Sequence, residues 1–129
     1  MREIKFRGMD IQGRWFIGNL TILTRDVAQG HKKGHYISNG IGMPFAYQVR
    51  PDTVGEYTGL KDKNGKEIFE GDIVESHKRV YEHTPTTNKV LFVRGCWRLV
   101  AGSMNDVPLY NYDETELEVI GNMYESKEE

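Results

Sequence analysis

Cysteine is almost absent from this chain. Cys96 is the single one among 129 residues, so no disulfide can close within the molecule and a reducing compartment fits best. Long apolar runs are absent as well. The longest clear one is Val90-Leu91-Phe92-Val93, far short of the roughly 20 residues a membrane helix needs. No stretch repeats apolar residues at helical spacing over three turns, so no long amphipathic helix is expected. Neither GxxxxGK[ST] nor GxGxxG occurs, and glycines 30, 34, 40 and 42 are not spaced to cradle phosphates. The first residues, Met1-Arg2-Glu3-Ile4-Lys5, lack the apolar core of a secretory signal, so a cytoplasmic location is expected.

What is present is polar and moderately charged. Charged residues make up 28% and mean hydropathy is −0.59, which points to a soluble chain with no membrane contact. The length suits a single domain, 1–129, able to bury a core without metal or disulfide. The net charge of −2 conceals an asymmetry. Residues 1–104 hold 16 Lys/Arg against 11 Asp/Glu, whereas 105–129 hold Lys127 against eight acids. A mildly basic body followed by an acidic tail could attract polyanions and screen them with its own end.

Alternation of apolar and polar residues recurs along the chain and marks half-buried strands. Ile4 and Phe6 share one face of the opening segment. Gln12-Gly13 turns the chain into a long strand from Arg14 to Ile22, in which Gly18 marks a bulge or a close backbone approach. Residues 24–44 are rich in glycine and poor in apolar side chains and read as loop, with a short strand at Tyr36-Ile37-Ser38. Phe45–Val49 alternates again, and Pro51 opens a turn. In Val54–Val74, VGEYTGLKDKNGKEIFEGDIV, a strand reaches Asn64-Gly65, returns, and turns again at Glu70-Gly71-Asp72. Asn-Gly favours a type I′ hairpin turn, whose two central residues both need positive φ. At the second turn Gly71 permits the backbone, Asp72 bonds a nearby amide and Ile73 enters the core. His83–Asn88 reads as a polar loop, Lys89–Arg94 and Trp97–Ala101 as a hairpin about Gly95, Gly102–Asp106 as a loop, and Leu117–Tyr124 as the last strand. Asp113 and Glu116 fit a capping box over a single helical turn.

Eight to ten short strands with turns between them define an antiparallel all-β sandwich or small barrel. The expected sub-structure is an N-terminal β part over 1–50, a barrel over 51–124 and an acidic end at 125–129.

Three blocks of this sequence resemble the YopX family, small proteins carried largely by bacteriophages and prophages. They are Met1–Gly8 with Gly13-Arg14-Trp15 and Gly18-Asn19-Leu20, then Pro51–Val74, then Glu118–Asn122. The resemblance implies an all-β fold with an SH3-like barrel around residues 54–124 and an N-terminal β-hairpin extension. It carries over no catalytic residue, because that family has no established activity.

Residues with chemical potential are dispersed. His31 and His35 have a zinc-like spacing, but Lys32-Lys33-Gly34 between them disfavours both a helix and a cation. Cys96 lies between Gly95 and Trp97 with no base nearby in sequence, so a half-buried structural thiol is expected. No catalytic residue, cofactor or metal is assigned, and the chain is read as non-enzymatic. Aromatic residues beside cations offer a candidate binding surface: Tyr57, Lys61, Lys63, Lys66, Arg94, Trp97 and Arg98. The leading expectation is an interaction module that binds an unknown protein partner or itself as a homo-oligomer. It rests partly on the long strand 14–22, whose edges need covering. The competing expectation is weak binding of single-stranded nucleic acid by a small barrel.

Overall fold

The computed structural model describes residues 2–40, 46–77, 86–102 and 105–125. All regular structure within them is antiparallel β, apart from three single 3₁₀ turns. The chain forms two compact units, residues 1–57 and 58–129.

The first unit holds β1 (Phe6–Met9), β2 (Trp15–Leu23), β3 (Gly34–Ser38), β4 (Ala46–Val49) and the start of β5 (Gly55–Lys61). Its strands lie in the order β4-β3-β2-β1-β5. The nine-residue β2 exists because Trp15 to Leu23 is apolar and β-branched enough to pair twice. Its first half pairs with β1 (Arg7↔Ile17) and its second with β3 (Leu20↔Ile37). Both pairings make β2 an interior strand, so the uncovered edge expected there is not present. Gly18 is the predicted close approach: a Cβ there would lie 2.3 Å from the Ser38 carbonyl oxygen. Met9, Ile37, Val49 and Tyr57 form the unit's buried apolar residues.

This unit ends later than the expected boundary after residue 50. The turn at Pro51–Thr53 belongs to it, because the Thr53 hydroxyl accepts the Met9 N–H at 2.9 Å and donates to the Arg50 carbonyl at 2.7 Å. What reads in sequence as an N-terminal hairpin extension is thus four strands, β1 to β4, of a sheet that continues into β5.

The second unit continues β5 and adds β6 (Glu67–Phe69), β7 (Asp72–Ser76), β8 (Thr86–Val93), β9 (Cys96–Ala101), β10 (Asn105–Pro108) and β11 (Leu117–Asn122). Five of these form a sheet in the order β10-β9-β8-β7-β11. One face buries Val74, Val90, Leu99 and Leu117, with Ile68, Leu109 and Tyr112 completing the cluster. The capping box is present: Asp113 accepts the Thr115 N–H, and Glu116 reaches back to the Asp113 N–H at 2.8 Å.

Three local readings are corrected. The Asn64-Gly65 turn is not type I′, because Asn64 does not have positive φ; Gly65 alone does, at 81°. The Gly65 N–H donates to the Asp62 carbonyl, closing a type I turn followed by a left-handed glycine, one residue longer than type I′. Second, Ile73 is not a core residue. Asp72 turns its carboxylate inward to accept the Phe69 N–H at 2.8 Å, so strand parity puts Val74 in the core and Ile73 outside. Third, β8 begins at Thr86, inside the expected polar loop. Asn88 faces the core there because its amide is satisfied by the Val74 carbonyl, Ser76 Oγ and the Thr86 carbonyl. Residues 83–85 of the expected polar loop, the end residues 126–129 and Phe45 lie outside the described residues.

Candidate interaction surface

Tyr57 is 4% exposed and packs under the Lys5 ammonium, 5.0 Å from the ring centroid. A base or a partner can stack only on an exposed ring, so Tyr57 is a core residue of the first unit and leaves the candidate surface. The other six candidates lie in the second unit, on two different hairpins.

Lys61, Lys63 and Lys66 flank the β5–β6 turn and are exposed. Their neighbours are acids. Lys63 pairs with Glu118 at 3.3 Å, and the Lys61 main-chain N–H donates to Glu114. At the centre of this turn sits Asp62, buried and missed by sequence reasoning. One oxygen accepts the N–H groups of Asn64 and Lys66, at 2.8 and 2.9 Å, and the other accepts the Val119 N–H at 2.9 Å. Burial pushes its carboxyl up, but the N–H donors of Val119, Lys66 and Asn64 outweigh that and hold it below the usual aspartate value. Asp10 repeats the arrangement in the first unit, accepting from Gln12 and Arg14 with Gly13 at positive φ. The Arg14 N–H first, then its guanidinium, keep Asp10 ionised below the usual range. The spacing D-x-x-G-[RK], present at Asp10–Arg14 and Asp62–Lys66, is the signal that could have found both. These carboxylates are spent on backbone donors, which leaves them unsuited to proton transfer or metal binding.

Arg94, Trp97 and Arg98 come together on the β8–β9 hairpin. Val93 pairs with Cys96, so Arg94 and Gly95 are the two loop residues, with φ of 54° and 76°. Two positive-φ loop residues are what a type I′ turn requires, here with an arginine where asparagine or glycine is preferred. Beside it Phe92 and Trp97 are cross-strand partners in edge-to-face contact, with centroids 4.7 Å apart. Trp97 also packs on the core cluster, while Phe92 is 51% and Val93 38% exposed. Arg98 is engaged elsewhere on the hairpin. It donates to the Asp106 carboxylate at 2.7 Å, and that hydrogen bond holds its guanidinium above its ordinary pKa. A shallow groove of about 550 Å³ crosses the outward face of the same sheet between Ile73, Lys89, Leu91 and Val100.

Cys96 is half-buried, as expected, and donates to the Trp97 carbonyl at 3.3 Å. His31 and His35 lie in extended chain rather than on one helical face, and His35 pairs across to Ile22 and Val49. Among the described residues no group of three or more His, Cys, Asp or Glu could hold a metal ion. Among the described residues no helix is long and apolar enough to cross a membrane.

An antiparallel all-β chain of two units, carrying an aromatic hairpin tip, is the class these observations define. The chain belongs to the YopX family, whose model, described as YopX protein, matches residues 5–128. No curated protein matches it. Among solved structures it is similar to protein EF1440 from Enterococcus faecalis, at 25% identity over 96% of this chain and 95% of that one, with a TM-score of 0.49.

Proposed function

We propose that this chain is a non-enzymatic interaction module that self-associates through the tip of the β8–β9 hairpin. The observation that carries the reading is the exposure of Phe92 and Val93 beside the half-buried Trp97, around a turn that holds Arg94 at positive φ. An exposed aromatic side chain beside an arginine is of the kind that dominates protein interfaces. A non-glycine residue kept in a costly backbone conformation on a solvated tip suits a recognition role better than a purely structural one. The absence of an acid/base role for Asp10 and Asp62 supports the non-enzymatic reading.

The nucleic-acid reading has less support. Residues 58–129 hold nine Lys/Arg against 14 Asp/Glu, a net charge of −5, and all six remaining candidate residues lie there. Lys63 and Arg98 are each paired with an acid. Polyanion binding needs a positive field, which a unit of net charge −5 does not supply.

Sedimentation velocity over a wide concentration range tests the proposal. The wild-type chain is expected to shift toward a dimer or larger species with concentration, and Phe92→Asp to remain a monomer with an unchanged far-ultraviolet spectrum. A wild type that stays monomeric throughout, or a Phe92→Asp chain that associates equally well, rules it out.

A further inference from the structure

The first unit carries an open strand position independent of the β8–β9 hairpin. Among the described residues its sheet ends at β4, and β3 fills only one side of that strand, through the ladder from Ser38↔Ala46 to His35↔Val49. In extended chain, alternate residues present their N–H and C=O to the same side. The Arg50 N–H points away from β3, reaching the Met9 carbonyl at 2.8 Å. Gln48 and Ala46 share its parity, so their main-chain groups also face away from β3.

A groove of about 550 Å³ adjoins this edge, bounded by β4 and by the Asp10–Arg14 turn. Tyr47 lines it and is fixed by parallel stacking on Phe16, with centroids 4.0 Å apart and planes at 8°. Ile11 stands at the lip and is 91% exposed. Arg14 and Arg50 also line it. Each touches an aspartate, at 3.0 and 3.2 Å, yet keeps much of its side chain in solvent. Residues 1–57 hold eight Lys/Arg against five Asp/Glu, a net charge of +3.

We infer that β4 takes an extended peptide of alternating acidic and apolar residues from a partner protein as an added strand. The main-chain groups of Ala46 and Gln48 pair with the peptide backbone. An apolar side chain lies against Tyr47 and Ile11, and carboxylates meet Arg14 and Arg50. A strand edge offers donors and acceptors in alternation, which a peptide backbone matches and a phosphate, an acceptor only, does not. A second copy's β4 would bring the same cation-bearing edge against itself, so a different chain is the better fit.

Fluorescence anisotropy on the full chain tests this with three labelled hexapeptides. One alternates Glu and Val, one alternates Lys and Val, and one is the Glu/Val sequence N-methylated at alternate residues. The Glu/Val peptide is expected to bind, more weakly as salt rises. The Lys/Val and N-methylated peptides are expected to bind about tenfold more weakly or not at all, the loss of one or two hydrogen bonds or of the charge match. Gln48→Pro removes only an outward donor and is expected to fold and to lose binding by a similar factor. The N-methylated peptide makes the same test on the unaltered chain. Phe92→Asp is expected to bind the Glu/Val peptide as wild type does. No anisotropy change with the Glu/Val peptide, equal binding by either control peptide, or loss of binding in Phe92→Asp would overturn the assignment.

Discussion

Single residues set the turns, and two carboxylates do so in the same way. Asp62 accepts three backbone N–H groups, one of them from Val119, 57 residues further along the chain. Removing it leaves those donors without an acceptor in a buried site, so Asp62→Ala is expected to cost at least about 2 kcal/mol in a denaturant titration. Its depressed pKa makes the contribution pH-dependent. The stabilisation is complete above the unfolded value of about 3.9 and is lost as pH falls through the lower folded value. Stability of the wild type should therefore fall more steeply than that of Asp62→Asn as pH drops below about 4. Parallel acid limbs for the two would contradict this. Gly65 sits at φ 81°, where a β-branched side chain is strained, and Gly65→Val is expected to destabilise by more than about 1 kcal/mol. An unchanged denaturant midpoint would refute the turn geometry. The need for glycine at 65 was legible in Asn64-Gly65. The turn type was not, because the same dipeptide serves a type I turn with a left-handed glycine, and the choice is made by Asp62 accepting from the Asn64 and Lys66 N–H groups.

At the level of elements, alternation located most strands within a residue or two. β2, β3, β7, β9 and β11 were readable because each carries apolar or β-branched residues between turn signals. β10 was not, since Asn105-Asp106-Val107-Pro108 has no alternation and carries a proline that only an edge strand tolerates. The start of β8 was missed because Thr86 and Asn88 are polar, and their suitability for the interior depends on partners in β7 that no local window contains. The β8–β9 hairpin yields its own prediction. Arg94 occupies a left-handed position that asparagine adopts more readily, so Arg94→Asn is expected to stabilise the fold by about 0.5–1 kcal/mol. The same change is expected to weaken self-association, because it removes a cation from the proposed contact. A variant that is both more stable and equally associated would separate the strain from function.

Across the whole molecule, the sequence gives the all-β class and the family, both present in the structure and in the match over residues 5–128. Charge was read along the chain as a basic body and an acidic tail. The fold divides it differently, with +3 on residues 1–57 and −5 on residues 58–129. That partition was invisible without the boundary at Tyr57, which is set by contacts between residues far apart in sequence, the Thr53–Met9 hydrogen bond across 44 residues among them. It also moves the support for association from the edge of β2, which is paired on both flanks, to the tip of β8–β9. Hydrogen-exchange mass spectrometry at dilute and concentrated protein tests that location most directly. The account predicts that amide protection rises with concentration over residues 91–98 while that of the paired β2 segment 15–23 stays constant. Concentration-dependent protection confined to any other segment, or none over 91–98 in a sample that sediments as an oligomer, would contradict it.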